Sequence, residues 1–250
     1  MRSLHRSLNA FIRPALLCSA TLGWMVLTAS VLPQAWSSTP TRTAAAPPTR
    51  IMPLGDSITQ GNKAQNSYRR SLWRMLKQAG YAVDFVGSQQ TNHEGPPPIP
   101  DFDLDNEGHW GWRIDEILTQ LPTWARQARP DIVLVHMGTN DLAQQQDPAQ
   151  TIAELKQVVQ NLRQANPRVK ILMAEIIPLV GNNDRFAAFN QQVRQLAQSL
   201  STSKSPVITV DQFTGFQAEA GKDTFDGCHP NDSGEQKMAT RWFTALRSLL

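Results

Sequence analysis

The sequence predicts an α/β fold: a doubly wound parallel sheet of five strands with helices on both faces. Three observations predict it. Short apolar runs alternate five times with segments of helical period, the pattern of successive βα units. The run Asp131–Met137 is apolar almost throughout, as a strand covered by helices on both faces must be. Polar, chemistry-bearing residues stand in the turns after the first, third and fifth strands, and such turns share the carboxyl edge of a parallel sheet.

Taken in order, the first strand is Ile51–Leu54, and Gly55-Asp56-Ser57-Ile58-Thr59 turns away from it. Ser67–Gly80 places Tyr68, Leu72, Met75, Leu76 and Ala79 at helical spacing and closes on a glycine, a common helix stop. Ala82–Gly87 is a second strand, and Ser88–Glu107, rich in proline and acids, is a long loop. A loop of that length in a compact domain usually carries function or moves. Trp112–Ala128 is a helix that Pro122 kinks or breaks. Asp131–Met137 is the third strand and runs into Gly138-Thr139-Asn140-Asp141. Helix Pro148–Ala165, strand Val169–Ala174, helix Asn183–Leu200, strand Pro206–Val210 and helix Asp232–Leu250 complete the chain, without internal repeats.

Ahead of this domain, residues 1–37 read as a secretory signal peptide. Arg2, Arg6 and Arg13 come first, then an apolar or small stretch from Pro14 to Leu32, then Ala35 and Ser37 around Trp36. The competing reading is an uncleaved anchor, the run being near the lower limit for crossing a bilayer. Leu17 before Cys18 is too large for a lipoprotein cleavage site. A secreted or periplasmic protein is expected. Residues 38–49, a Pro, Thr and Ala tract, read as a linker, and residues 50–250 as one domain with a substantial core.

Composition excludes several functions. The chain has 24 Lys+Arg and 21 Asp+Glu; three of the arginines leave with the leader, so the rest is formally neutral. There is no electrostatic case for nucleic acid, and no stable membrane contact is expected after cleavage. Cys18 leaves too, so Cys228 stands alone and no internal disulfide remains. No cofactor is implied.

The three turns converge on one chemistry. Acyl transfer needs a nucleophile, a base, an orienting carboxylate and donors for the tetrahedral oxyanion. Ser57 supplies the nucleophile, His229 the base, and Asp226, three residues earlier across a Gly turn, the orienter. Asn140 offers an amide N–H. Backbone N–H groups at Ser57 and at a glycine between Gly108 and Gly111 complete the set.

This set resembles the SGNH branch of the GDSL hydrolases. Gly-Asp-Ser at 55–57, a second-block glycine at Gly111, Gly-x-Asn-Asp at 138–141 and Asp-x-x-His at 226–229 follow in that family's order. Within the branch, the segments 51–59, 84–88, 107–112 and 226–232 look like the family-3 carbohydrate esterases, the acetyl xylan esterases. The resemblance implies a three-layer α/β/α, flavodoxin-like sheet and metal-independent deacetylation. It also implies an oxyanion hole from the Ser57 and Gly111 N–H groups and the Asn140 side chain. Trp110 departs from an expected serine, and Cys228 from an expected aliphatic residue. Thr59 replaces the last glycine of a Gly-x-Ser-x-Gly elbow, and Asp226 lies only three residues before His229, which disfavours the ordinary α/β-hydrolase reading.

Other residues have quieter readings. Asp56 is read as accepting backbone N–H groups at the turn, although it stands close enough to touch substrate. Asp141 braces the Asn140 loop. Asp226 is not needed as the cap of the last helix, because Asp232 and Ser233 are nearer. His136, inside a strand, is a buried core histidine. His109 either lines the pocket or is exposed. Trp110 and Trp112 form a sugar platform, unless Trp112 is core. Cys228 is a small buried side chain. Asp101-x-Asp103-x-Asp105 lacks the glycine and glutamate of an EF-hand; a solvated acidic loop is favoured over a looser calcium site, and no metal is assigned. The expected function is a secreted serine esterase removing acetyl groups from a xylan-type polysaccharide. The alternatives are a lysophospholipase or thioesterase acting on longer acyl chains, and a carbohydrate-binding relative without turnover.

Overall fold

A computed structural model describes residues 46–250. The leader predicted over residues 1–37, and most of the predicted linker, lie outside the described residues. Strand β1 (Thr49–Gly55) starts one residue before the expected domain boundary, since Thr49 already pairs with Val83.

The other strands are β2 (Val83–Phe85), β3 (Glu107–Gly108), β4 (Ile132–His136), β5 (Lys170–Glu175) and β6 (Val207–Asp211). All pair in parallel, in the order β2-β1-β4-β5-β6, which supplies the five strands expected. β3 is a sixth. It pairs Leu54 with Glu107 and Gly55 with Gly108, continuing along β1 past the point where β2 ends. Two residues are too few to show a period of 2, so the sequence could not announce it. The chain leaves β1 toward β2 on one side and returns to β4 on the other. That reversal opens a crevice beyond the carboxyl ends of β1 and β4.

Alternation along each strand feeds two cores. Ile51, Ile132, Leu134, Leu172 and Ala174 meet α2 (Tyr68–Gln78) and α8 (Asp232–Leu246) through Tyr68, Leu72, Met238 and Trp242. Met52, Leu54, Val133, Val135, Ile171 and Met173 face α3 (Ile114–Leu118), α4 (Leu121–Ala128), α6 (Pro148–Ala165) and α7 (Asn183–Leu200). Each such Val, Leu, Ile or Met side chain, fully buried, contributes roughly 1.5–3 kcal/mol. The helix expected over 112–128 is two helices: Pro122 opens α4, where its missing N–H costs nothing. Two short helices, α1 (Ser57–Gln60) and α5 (Thr139–Ala143), start at the ends of β1 and β4. The cap of α8 is Asn231, whose side chain accepts from the Ser233 and Gly234 N–H groups, and not Asp232 or Ser233 as expected.

The long loop after β2 is solvated along Pro98–Asp101, as the sequence suggested, but it is also tied down at several points. Arg69, on α2 with no exposed surface, donates to the carbonyls of Thr59, Gln60 and Leu104 and to Asn92 Oδ1. Asn92 in turn donates to the carbonyls of Asn62 and Gln65. The loop is thereby tied to the segment just after α1. Its acids have separate protein partners: Asp101 forms a bidentate pair with Arg70, and Asp103 accepts from the Phe85 and Asp105 N–H groups. Among the described residues, no group of three or more His, Cys, Asp or Glu is placed to hold a metal ion.

Candidate active site

Ser57 is the first residue of α1, at the carboxyl end of β1. The turn needs Gly55 because of crowding: a Cβ there would stand 2.3 Å from Thr59 Oγ1 and 2.6 Å from the His136 carbonyl. The Asp56 carboxylate caps α1, accepting from the Ile58 N–H at 3.0 Å. Burial pushes its pKa up to about 7, against the pull of that N–H and of nearby His229. Asp56 is buried, with its carboxylate engaged as the cap of α1.

The loop between β6 and α8 brings the other two residues. His229 Nε2 lies 3.0 Å from Ser57 Oγ, and His229 Nδ1 lies 2.7 Å from Asp226 Oδ2. Asp226 Oδ1 accepts from the N–H groups of Cys228 and His229, at 3.0 and 2.7 Å. Burial raises the Asp226 pKa, but these hydrogen bonds outweigh it and hold the carboxyl below its ordinary value. An ionised Asp226 keeps the proton on Nδ1, which leaves Nε2 to accept from the serine hydroxyl. Asp226, His229 and Ser57 therefore form a continuous hydrogen-bonded line.

Asn140 lies in α5, after β4. Its Nδ2 donates to the Trp112 carbonyl at 2.8 Å, which fixes the amide and leaves a second N–H for another acceptor. Asp141 Oδ1 accepts from the Ile114 N–H, tying α5 to α3 as the brace expected, and burial pushes its pKa up to about 6. Gly111 sits at φ +79°, in the left-handed region that favours glycine, with open space around it.

The aromatic residues divide differently from expectation. His109 is buried, with Nε2 2.7 Å from Glu107 Oε1 and its ring packed beside those of Trp112 and Trp124, at 4.7 and 4.4 Å. It does not line the cleft, and Trp112, half-buried, packs against the core. Trp110 does line the cleft, but its ring lies against the rings of His93 and His229, at 4.7 Å each. The ring expected to serve as a sugar platform is thus also a packing partner of the base. His136 is fully buried, accepts from the Ile177 N–H, and is kept neutral by burial, its pKa lowered to about 4. Burial pushes the Cys228 thiol up to about 12, so it is no competing nucleophile at neutral pH.

The cleft over Ser57 encloses about 240 Å³ counting its open mouth. Asn62, Gln65, Ser67, Phe225 and Glu235 share its lining with Ser57, Trp110 and His229. Glu235, on α8, escaped sequence reasoning: nothing in its local pattern separates it from a surface helix residue. It is buried, accepts from the Ser67 N–H at 2.8 Å, and burial pushes its pKa up to about 7.

Comparisons with known proteins show what the chain is similar to. A multidomain esterase of Ruminococcus flavefaciens is 30% identical over 271 aligned positions covering 98% of this chain and 34% of the esterase. The chain thus spans about a third of that relative's length. A crystal structure of a carbohydrate esterase family 3 protein from Talaromyces cellulolyticus is 32% identical, with TM-score 0.72, covering 80% of this chain and 97% of the other. A Clostridium thermocellum family 3 carbohydrate esterase is 31% identical, with TM-score 0.68 and coverages of 80% and 98%. An acetyl esterase mutant crystallised with acetate ion matches at 32% identity and TM-score 0.72, with coverages of 80% and 97%. Residues 54–237 match the GDSL-like lipase/acylhydrolase family over most of the described domain, and the chain belongs to that family of carboxylic ester hydrolases.

Proposed function

We propose that this chain is an exported serine esterase that removes acetyl groups from an acetylated polysaccharide of xylan type. The observation that carries the reading is the line Asp226–His229–Ser57, with contacts of 2.7 and 3.0 Å, opening into a small cleft. Ser57 Oγ attacks the ester carbonyl carbon while His229 Nε2 takes its proton. Asp226 stabilises the imidazolium that forms. The N–H groups of Ser57 and Gly111 and the spare Asn140 amide N–H receive the oxyanion. Collapse of the tetrahedral intermediate breaks the ester C–O bond, and His229 returns the proton to the leaving sugar oxygen. Water then enters with His229 as base and releases acetate.

Two features support a short acyl group on a hydroxyl-rich alcohol. The cleft is small, about 240 Å³ even counting its open mouth, and the side chains of Asn62 and Gln65 stand at its wall. The charged start, apolar middle and small-residue end of residues 1–37 support export, and N-terminal sequencing of protein recovered outside the cytoplasm tests it. Initial rates on p-nitrophenyl acetate, butyrate and octanoate, beside acetate release from acetylated xylan, test the substrate. Preference for acetate, with acetate freed from xylan, is expected. Octanoate preferred, or xylan untouched, would move the substrate to lipids or thioesters. Failure of a fluorophosphonate probe to label Ser57 would leave only a binding protein.

A further inference from the structure

The active-site imidazole lies within a row of four rings drawn from three separate loops. Trp110 stacks on His229 at 4.7 Å and 10°, and Phe225 lies on the same imidazole at 5.7 Å and 16°. His93 in turn stacks on Trp110 at 4.7 Å and 13°. Each of the three rings beside the imidazole is anchored by its own backbone. The Trp110 N–H donates to Gln60 Oε1 at 2.8 Å. The His93 N–H donates to the Gly61 carbonyl, and the His93 carbonyl accepts from the Lys63 N–H, both at 3.1 Å. Phe225 donates its N–H to the His229 carbonyl at 3.0 Å.

This array answers a question that the hydrogen bonds leave open. Asp226 and Ser57 hold the two ring nitrogens in one line, but hydrogen bonds along a single line permit the imidazole to roll about it. Both residues are partly exposed, the Asp226 side chain at 40% and that of His229 at 20%, so close packing from the core does not hold them. The flat face of Trp110 does. A ring held parallel to an indole keeps Nε2 directed at Ser57, and the electron-rich indole face favours the imidazolium formed as the serine proton is taken.

We propose that Trp110 is the positioning residue for His229, with His93 stacked on it in turn. The proposal rests on the serine-esterase reading above. It assigns Trp110 to the base, whose imidazole lies parallel to the indole at 4.7 Å and 10°. The resemblance drawn from the sequence expects serine at this position, so the device belongs to this chain's own second block.

The test is steady-state hydrolysis of p-nitrophenyl acetate by wild type, Trp110→Phe, Trp110→Ser and His93→Ala, with thermal melting as a folding check. Trp110→Phe, which keeps a flat ring, should hold kcat within about twofold of wild type. Trp110→Ser should lower kcat about tenfold with KM unchanged, as expected for loss of one stacking and cation–π contact. His93→Ala should lower kcat by a smaller factor, again at constant KM. A rise in KM at constant kcat for Trp110→Ser would overturn the proposal by making Trp110 a substrate contact. Equal losses in the Phe and Ser variants would overturn it too, as would a Ser variant with wild-type kcat. Fluorophosphonate labelling of wild type, absent in Ser57→Ala, separates these outcomes from a failure of the esterase reading. If wild type does not label, the enzyme assignment falls; if it labels while Trp110→Ser turns over like wild type, only the positioning role falls.

Discussion

Replacing Arg69 with methionine tests what holds the active-site loops together. The guanidinium has no exposed surface and pairs with no carboxylate; burial lowers its pKa to about 10. Its bonds go to four oxygens, of which two have second donors. The Thr59 carbonyl also accepts from Ser67 Oγ at 2.9 Å, and the Leu104 carbonyl from Asn106 Nδ2 at 2.9 Å. The Gln60 carbonyl and Asn92 Oδ1 depend on Arg69 Nη2, at 2.9 and 2.6 Å. Methionine fills much of the same space but orphans those two acceptors, at about 1–3 kcal/mol each. Relief from burying a charge offsets part of that cost. The net expectation is a loss of about 3 kcal/mol, or roughly 6–12 °C in melting temperature for a domain of this size. Because Thr59 and Gln60 belong to the helix that begins with Ser57, activity should also fall at lower urea than the far-UV circular dichroism signal. Equilibrium urea unfolding followed by both signals measures this. A methionine variant within 1 kcal/mol of wild type, losing both signals together, would refute the clamp.

Two further outcomes follow from the site. Asp226→Asn should keep the acceptor for the Cys228 and His229 N–H groups but turn an NH₂ toward Nδ1. That forces the proton onto Nε2, and kcat should fall by about 10⁴, the scale of a wrong imidazole tautomer; a loss under tenfold would remove Asp226 from the mechanism. Asp56→Asn should flatten the dependence of stability on pH. The Asp56 pKa rises on folding from 3.8 to about 7, so the folded state holds a proton that the unfolded chain has released. Its contribution is complete below about pH 4 and is lost as pH rises through 7. The Asn variant, neutral at every pH and still able to cap α1, should gain roughly 2–4 kcal/mol over wild type between pH 4 and pH 8. Glu235 and Asp141 titrate in the same window and remain in both proteins, so parallel urea stability curves at the two pH values would exclude Asp56 as the source.

The sequence by itself determined the layered fold and the turns that carry the chemistry. Buried parallel strands must be continuous apolar runs, and a nucleophile, a base and an orienting acid are distinctive residue types in short motifs. Asp131–Met137 and Gly-Asp-Ser were legible for those reasons, as was the break at Pro122, which follows from proline's own geometry. Tertiary structure alone decided what depends on neighbours distant in sequence. β3 exists because Glu107 and Gly108 reach the free edge of β1, and not because two residues have a strand pattern. His109 is buried because Glu107, Trp112 and Trp124 enclose it, which a histidine in a glycine-rich loop does not announce. Arg69 reads as one of two adjacent arginines on a helix, and its burial became visible only once two loops closed over it. Glu235 entered the cleft by the rotation of α8, and Trp110 came to lie on His229 because the loops after β3 and β6 meet above β1. Covalent order sets which groups are available, whereas packing across the sheet edge sets which of them touch.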